Sequence, residues 1–151
     1  MNPEPFFILH VEDDANDALF LREACRKASL PCVFEVVTDG ELAIAYLRGA
    51  EQFSDRQRYP FPSLLLLDLK IPRKTGFEVL EWVKGNSRPL RRIPIVIVSS
   101  SDYPGDINRA YELGANAYMV KPVDYRAVEH LFHSITQYWG LECAKPELEP
   151  A

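Results

Sequence analysis

Five short apolar runs recur along the chain, and each predicts a β-strand. Most of them are continuously apolar rather than alternating, which is the pattern of strands covered on both faces by helices. The predicted strands are Phe6–Val11, Val33–Val37, Ser63–Leu67, Ile93–Val98 and Ala117–Val120.

Segments with the helical spacing of apolar residues separate these runs. The first carries Ala18, Leu21 and Cys25 on one stripe and charged residues on the other, as an amphipathic helix does. Strict alternation of strand and helix predicts an α/β fold, with a doubly wound five-stranded parallel sheet, five helices and the flavodoxin-like strand order 2-1-3-4-5. The other stripes are Ala43 with Leu47, Leu80 with Val83, Ile107 with Ala110, and Val128, Leu131, Phe132, Ile135 and Trp139.

The connections between these elements carry their own signals. The stretch 48–62 is longer than common connections and ends in Tyr59-Pro60-Phe61-Pro62, which predicts an ordered surface loop. Gly114 is a predicted helix stop, and Asp124 a predicted N-cap of the last helix. Residues 1–151 are expected to form a single domain, with a core of about residues 6–139 and a short C-terminal tail at 140–151.

Charge and cysteine content narrow the function classes. The balance of 22 acidic against 17 basic residues gives a net charge of -5, which argues against nucleic-acid binding driven by overall charge. The basic run at 88–92 fits a solvated loop better than a nucleic-acid patch, because no aromatic residues interleave with it. The three cysteines indicate neither a disulfide framework nor a zinc site. Without a signal peptide or a membrane-spanning run, a cytoplasmic location is expected.

Polar residues collect where the predicted strands end. Because carboxyl ends of parallel strands meet at one edge of a sheet, these side chains are expected to lie together. Each residue alone is more often a cap or a surface residue, so the prediction depends on the combination. The residues are Glu12-Asp13-Asp14 after the first strand, Asp68 after the third, Ser99-Ser100 at the end of the fourth and Lys121 after the fifth.

Crowded carboxylates repel one another unless a cation neutralises them. Magnesium is the natural candidate, because it takes oxygen ligands and the set offers no cysteine or histidine for a softer metal. A carboxylate such as Asp68 can then attack phosphorus and form an acyl phosphate, while Lys121 and Ser99 contact the phosphoryl oxygens.

The chain resembles a two-component response-regulator receiver domain over about residues 6–138. The resemblance rests on the order and spacing of four motifs, and finer features resemble stand-alone regulators that are paired with phytochrome-type histidine kinases. The motifs are Ile8-Leu-His-Val-Glu12-Asp13-Asp14, Leu66-Leu-Asp68-Leu-Lys-Ile-Pro72 with Gly76, Ile97-Val-Ser99-Ser100, and Tyr118-Met-Val-Lys121-Pro122.

The resemblance implies a role for each matching residue. Asp68 is the implied phosphoacceptor, Asp13 and Asp68 ligate magnesium directly, Glu12 acts mostly through water, and the backbone carbonyl of Lys70 supplies another ligand. Ser99 and Lys121 grip the phosphoryl group, the Lys121–Pro122 bond is cis, and Tyr118 is the aromatic rotamer switch. Departures are mild: serine stands at Ser99 where threonine is commoner, and Lys70 is a long cation beside the phosphorylation site.

The resemblance also implies the partners. A separate sensor histidine kinase, of phytochrome type, is expected to supply the phosphoryl group, and the chain is expected to catalyse only its own phosphoryl transfer and dephosphorylation. Phosphorylation is predicted to reshape a surface formed by the fourth helix, the fifth strand and the fifth helix, where a second copy binds. Tyr111, Tyr125 and the Tyr138-Trp139 end are expected on this surface.

Other functions compete with this one. A haloacid-dehalogenase-type phosphatase needs an acidic residue two positions after the nucleophile, where Lys70 stands, and a nucleotide-binding domain needs a glycine-rich turn where residues 12–16 are acidic. A receiver fold that binds partners irrespective of phosphorylation stays open. A metal site or a phosphorylated histidine at His130 and His133, three residues apart, is disfavoured because no further ligand lies near them in sequence.

Overall fold

The computed structural model of the chain describes residues 6–27 and 32–121, together with residues 126, 130, 133 and 134. Its strands form one parallel sheet of five strands in the order β2-β1-β3-β4-β5, which confirms the predicted order. The strands are β1 (Phe6–Val11), β2 (Cys32–Val37), β3 (Leu64–Leu67), β4 (Ile95–Ser99) and β5 (Ala117–Val120).

Four α-helices connect these strands within the described residues, rather than the five that the sequence predicted. They are α1 (Ala15–Lys27), α2 (Gly40–Arg48), α3 (Gly76–Lys84) and α4 (Pro104–Glu112). Most of the segment predicted as the fifth helix lies outside the described residues, as do Asp124 and the Lys121–Pro122 bond, so those predictions stay predictions. No helix among the described residues is long and apolar enough to cross a membrane.

Apolar side chains cover the sheet on both faces. One cluster joins Leu9, Leu65 and Ile97 to apolar residues of α2 and α3, and a second joins Ile8 and Leu66 to apolar residues of α1. Neighbouring residues of one strand therefore face opposite clusters, and both are buried. This explains why the strands are continuously apolar rather than alternating.

Local polar contacts fix where the helices begin and end. The Asp39 side chain accepts a hydrogen bond from the Leu42 backbone N–H at 2.7 Å, which caps α2. Thr75 and Glu78 form a capping box at the start of α3. Gly114, directly after the C-cap residue of α4, has a φ of 107°, which favours glycine and confirms the predicted helix stop.

The long connection after α2 is an ordered loop, as the sequence predicted. A short 3-10 turn, Glu51–Phe53, buries Phe53 against Tyr46 of α2, and Tyr59 packs on both rings. The Tyr46 hydroxyl donates a hydrogen bond to the Pro60 carbonyl at 2.8 Å. The Arg56 guanidinium donates to the backbone carbonyls of Leu47 and Tyr59. The loop is thus folded onto the end of α2.

One disulfide bond was not predicted from the sequence. Cys25 of α1 is disulfide-bonded, whereas the cysteine count and spacing predicted no disulfide framework. An odd count excludes only that every cysteine is paired, and spacing along the chain carries no information on which residues approach one another in the fold.

We expect Tyr46→Phe to lower the free energy of unfolding by about 1 kcal/mol, because it removes a partly buried hydrogen bond and leaves the Pro60 carbonyl without its donor. Urea denaturation followed by circular dichroism measures this. Tyr59→Phe is the matched control, since among the described residues its hydroxyl accepts a hydrogen bond from the exposed side chain of Arg58. Equal stability of the two variants would show that the hydroxyl of Tyr46 does not hold the loop.

Candidate functional site

The carboxyl ends of β1 and β3 bring three carboxylates together. Ligand oxygens of Glu12, Asp13 and Asp68 all lie within 4.8 Å of one another. Glu12 and Asp68 are buried, at 1% and 6% exposure, while Asp13 faces solvent. Parallel pairing of Val11 with Leu67 sets this proximity, because the residue after each strand then emerges at the same edge. The convergence that the sequence predicted is therefore present.

Lys121 supplies the positive charge of this pocket. Its ammonium nitrogen lies 2.6 Å from Oε1 of Glu12, 3.1 Å from Oδ2 of Asp68 and 2.9 Å from Oδ2 of Asp17. The lysine directly follows β5, and its backbone N–H donates to the Ser99 carbonyl at 2.7 Å, which fixes the start of its side chain at the sheet edge. Carboxylates from β1, β3 and α1 thus share one ammonium group.

The electrostatics of the pocket follow from this crowding. Burial raises the pKa of Glu12, as does the neighbouring Asp68, although Lys121 acts in the opposite direction. Burial by itself would lower the pKa of Lys121, but its close contacts with the carboxylates of Asp17 and Glu12 and the charge of Asp68 hold that pKa above its ordinary value. The lysine therefore stays charged at neutral pH, and the carboxylates compete for it.

The residues present fit a hard divalent cation. Oε1 of Glu12 is buried and forms no hydrogen bond with the described residues, since its short contact with Lys121 is an ion pair that lacks hydrogen-bond geometry. An oxygen held in this way suits a metal ligand. The set offers carboxylate oxygens and no sulfur or imidazole nitrogen, which is the donor chemistry of magnesium, manganese or calcium rather than of zinc.

Two further predicted residues lie beside the pocket. The Lys70 backbone N–H points to Oδ1 of Asp68 at 3.4 Å, and its side chain is exposed. Ser99 is completely buried at the end of β4, and its hydroxyl accepts a hydrogen bond from the Ser101 backbone N–H at 3.1 Å. The roles of both residues in metal binding and phosphoryl transfer stay predictions.

Tyr118, the predicted switch residue, is connected to Ser99 through the loop after β4. The Tyr118 hydroxyl donates a hydrogen bond to the Ser101 carbonyl at 2.7 Å. The backbone N–H of Ser101 in turn donates a hydrogen bond to the Ser99 hydroxyl. The ring is half-buried against the core. Two hydrogen bonds therefore link the pocket side of β4 to the aromatic ring on β5.

Gly76 is needed for a close approach behind Asp68. A β-carbon at this position would lie 2.3 Å from the Asp68 carbonyl oxygen and 2.7 Å from the α-carbon of Leu69, both of them backbone atoms that cannot move aside. The Gly76 backbone N–H also donates to the Leu69 carbonyl at 2.9 Å. The turn after β3 thus packs directly against the first turn of α3.

The sequence did not single out two residues that the fold brings to this region. Asp17 lies in the first turn of α1, and its backbone N–H donates a hydrogen bond to the side chain of Asp14. Its position three residues after Asp14, which caps the helix directly after β1, was the sequence signal that could have identified it. His10 is buried in β1, and Nδ1 forms no hydrogen bond with the described residues. Burial lowers the pKa of His10 to about 3, so it is neutral there. His130 and His133 are both exposed.

Comparisons with known proteins agree with this geometry. Residues 8–133 match the family model described as response regulator receiver domain. The response regulator Rcp1 of Synechocystis is 33% identical over 138 residues, which cover 91% of this chain and 90% of Rcp1. The structure of its manganese-bound form has a TM-score of 0.82 at 31% identity and covers 95% of this chain and 100% of that one.

Two other solved structures are similar over nearly the whole chain. The response regulator RPA3017 of red light signalling in R. palustris has a TM-score of 0.88 at 31% identity, with 95% of this chain and 99% of that chain covered. The phosphorylated cyanobacterial phytochrome response regulator RcpA has a TM-score of 0.86 at 32% identity, with the same two coverages of 95% and 99%.

We expect Gly76→Ala to lower the free energy of unfolding by about 1–3 kcal/mol, because the added methyl group is forced against backbone. Thermal denaturation measures the loss. Gly85→Ala is the control, since its β-carbon would lie 3.1 Å from the Glu81 carbonyl oxygen, a tight contact that a small shift relieves. A Gly76→Ala protein as stable as Gly85→Ala would contradict the close packing of this turn.

Proposed function

The chain belongs to the response regulator receiver domain family of two-component systems, and we propose that Asp68 is its phosphoacceptor. One observation carries the proposal: Asp68 directly follows β3, lies inside a cluster of carboxylates and is 3.1 Å from the ammonium group of Lys121. Oδ2 of Asp68 therefore lies where a phosphoryl group attached to it stays within reach of a positive charge.

Phosphoryl transfer to this site needs no protein-derived base. A carboxylate oxygen of Asp68 forms a bond to phosphorus while the bond from phosphorus to the donor breaks, and a departing histidine nitrogen keeps the electron pair and takes a proton. Lys121 neutralises one phosphoryl oxygen, and the Ser99 hydroxyl donates to another once it turns from the Ser101 N–H. We expect the chain to catalyse this transfer and its own dephosphorylation only.

We propose magnesium as the cofactor, held by Asp13 and Asp68 directly, by Glu12 mostly through water and by the backbone carbonyl of Lys70. Bound there, it would neutralise charge on the phosphoryl oxygens during transfer. The buried Glu12 oxygen, which is ion-paired with Lys121 but accepts no hydrogen bond from the described residues, and the all-oxygen donor set support this choice. Manganese binding by Rcp1, at 31% identity in the solved structure, supports a divalent metal.

We propose a sensor histidine kinase of phytochrome type as the phosphoryl donor. The support is similarity: RcpA is a phytochrome response regulator, and RPA3017 belongs to red light signalling. Both resemble this chain over 95% of its length. The geometry of the site fits a phosphoryl donor in general and does not identify a particular kinase. The cognate kinase is therefore identified by comparing the rates of phosphotransfer from purified sensor kinases to this chain.

We expect Asp68→Asn to abolish acyl-phosphate labelling by acetyl phosphate and magnesium while preserving the fold, because it removes the nucleophile and nearly preserves shape. Intact-protein mass spectrometry measures the labelling, and circular dichroism the fold. Asp14→Asn is the matched control: its carboxylate lies in the same acidic run but caps α1, and asparagine caps equally well.

Undiminished labelling of Asp68→Asn would place the phosphoacceptor elsewhere. If Asp14→Asn labels like wild type and partner binding is the same with or without the label, the chain is instead a receiver fold that binds irrespective of phosphorylation. Both outcomes are read from the same preparations.

We further propose that phosphorylation couples to self-association through α4 and β5. β5 is an edge strand of the sheet, and the exposed apolar residues of this face are Tyr103, Tyr111 and Val120. Large aromatic side chains are enriched at protein interfaces. The predicted contribution of the fifth helix, with Tyr125, Tyr138 and Trp139, lies outside the described residues.

The connection to the pocket runs through Ser99 and Tyr118. When the Ser99 hydroxyl turns toward a phosphoryl oxygen, it gives up the Ser101 N–H, and the loop that holds the Tyr118 hydroxyl loses a constraint. The ring can then adopt a second position beside β4. Such a two-state element is shifted only by the difference in phosphoryl contacts between its states, and charge-assisted contacts supply a difference of a few kcal/mol.

We expect Val120→Ser to weaken the dimer formed with beryllofluoride and magnesium, because it removes apolar area from the proposed interface. Val33→Ser is the matched control, since Val33 is a valine of similar exposure, 43% against 46%, on the opposite edge strand. Analytical ultracentrifugation measures both, together with Tyr118→Ala. A wild type that stays monomeric would refute the dimer, and a dimer indifferent to beryllofluoride and to Tyr118→Ala would refute its coupling to the pocket.

A further inference from the structure

Asp17 contacts the pocket from outside the cation-binding set. Its Oδ2 accepts a hydrogen bond from the Lys121 ammonium at 2.9 Å, across a sequence separation of 104 residues. The side chain is 44% exposed and belongs to α1, whereas the cation-binding set is formed by Glu12, Asp13 and Asp68. No role proposed above uses this carboxylate.

Lys121 and a divalent cation would draw on the same carboxylates. The ammonium group contacts Glu12 and Asp68, which are two of the three carboxylates of the cation-binding set. A cation bound to this set would be neutralised by the same carboxylates that now neutralise the lysine. The cation and the Lys121 ammonium group would also repel each other at such short range. Cation binding therefore requires the ammonium group to move away from Glu12 and Asp68.

The third contact of Lys121 remains when the other two are lost. Asp17 lies beyond the cation-binding set, so its carboxylate can keep the ammonium group neutralised beside the pocket instead of leaving a partly buried charge without a partner. The Lys121 side chain is only 17% exposed, which makes an unpartnered ammonium costly. A lysine retained in this way also stays within reach of a phosphoryl group on Asp68.

We infer that Asp17 is a positioning residue that holds the Lys121 ammonium group when a divalent cation occupies the cluster of Glu12, Asp13 and Asp68, and that it thereby raises the affinity of the pocket for that cation. The inference rests on the proposed function, because it assumes the cation site. It differs from a general effect of negative charge, which would act on the cation whether or not Lys121 is present.

A double-mutant cycle separates these two explanations. Manganese affinity is measured by isothermal titration calorimetry on the full chain for wild type, Asp17→Asn, Lys121→Met and the double variant. We expect Asp17→Asn to weaken manganese binding about fivefold in the wild-type background, the size of a coupling between contacting charged residues, and less than about twofold beside Lys121→Met. Glu23→Gln removes one negative charge elsewhere on α1 and is expected to leave the affinity unchanged.

Several outcomes would overturn the inference. They are an unchanged or higher affinity in Asp17→Asn, the same loss in both backgrounds, or an equal loss in Glu23→Gln. A wild type that binds no manganese would instead overturn the cation site and the proposed function with it.

A second measurement does not depend on how Lys121→Met folds. In lysine-selective nitrogen NMR of the magnesium-saturated protein, we expect the Lys121 ammonium signal to stay protected from solvent exchange in wild type and Asp17→Glu. We expect this protection to be lost in Asp17→Asn. Equal protection in all three proteins would also overturn the inference.

Discussion

One shared positive charge holds the functional edge of this molecule together. The Lys121 ammonium group contacts Glu12, Asp17 and Asp68, which come from β1, α1 and β3. Two of these carboxylates are buried, and a buried charge without a partner is among the costliest features that a fold can contain. The fold can therefore hold these acidic residues together at the sheet edge only because Lys121 neutralises part of their charge.

A buried ion pair of this kind is weak evidence for stability, because the loss of hydration offsets much of the attraction. Its value here is that the charges can be exchanged. In the proposed function, a divalent cation would replace the ammonium group at the shared carboxylates, and a phosphoryl group on Asp68 would then offer the lysine a new partner. Each exchange would change the element whose carboxylate Lys121 contacts. The hydrogen bonds from Ser99 through Ser101 to Tyr118 connect the same edge of the sheet to β5.

The sequence predicted the features that follow from local pattern. Continuous apolar runs located the strands because strands buried on both faces have few polar positions, and the strand ends located Glu12, Asp68 and Lys121. Asp17 was missed because its contact is with a residue 104 positions away, and a carboxylate in the first turn of a helix reads as a cap. The role of Gly76 was also hidden, since only the path of the backbone shows that its α-hydrogen faces the Asp68 carbonyl.

The central claim is that the carboxylates at the ends of β1 and β3 form a divalent cation site from which Lys121 can be displaced. A crystal structure of the chain with manganese, with anomalous scattering used to locate the metal, tests it most directly. The account predicts one anomalous peak within coordination distance of Asp13 and Asp68, with the Lys121 ammonium group moved away from Glu12. No peak between these carboxylates, or a peak with Lys121 still bound to Glu12 and Asp68, would contradict it.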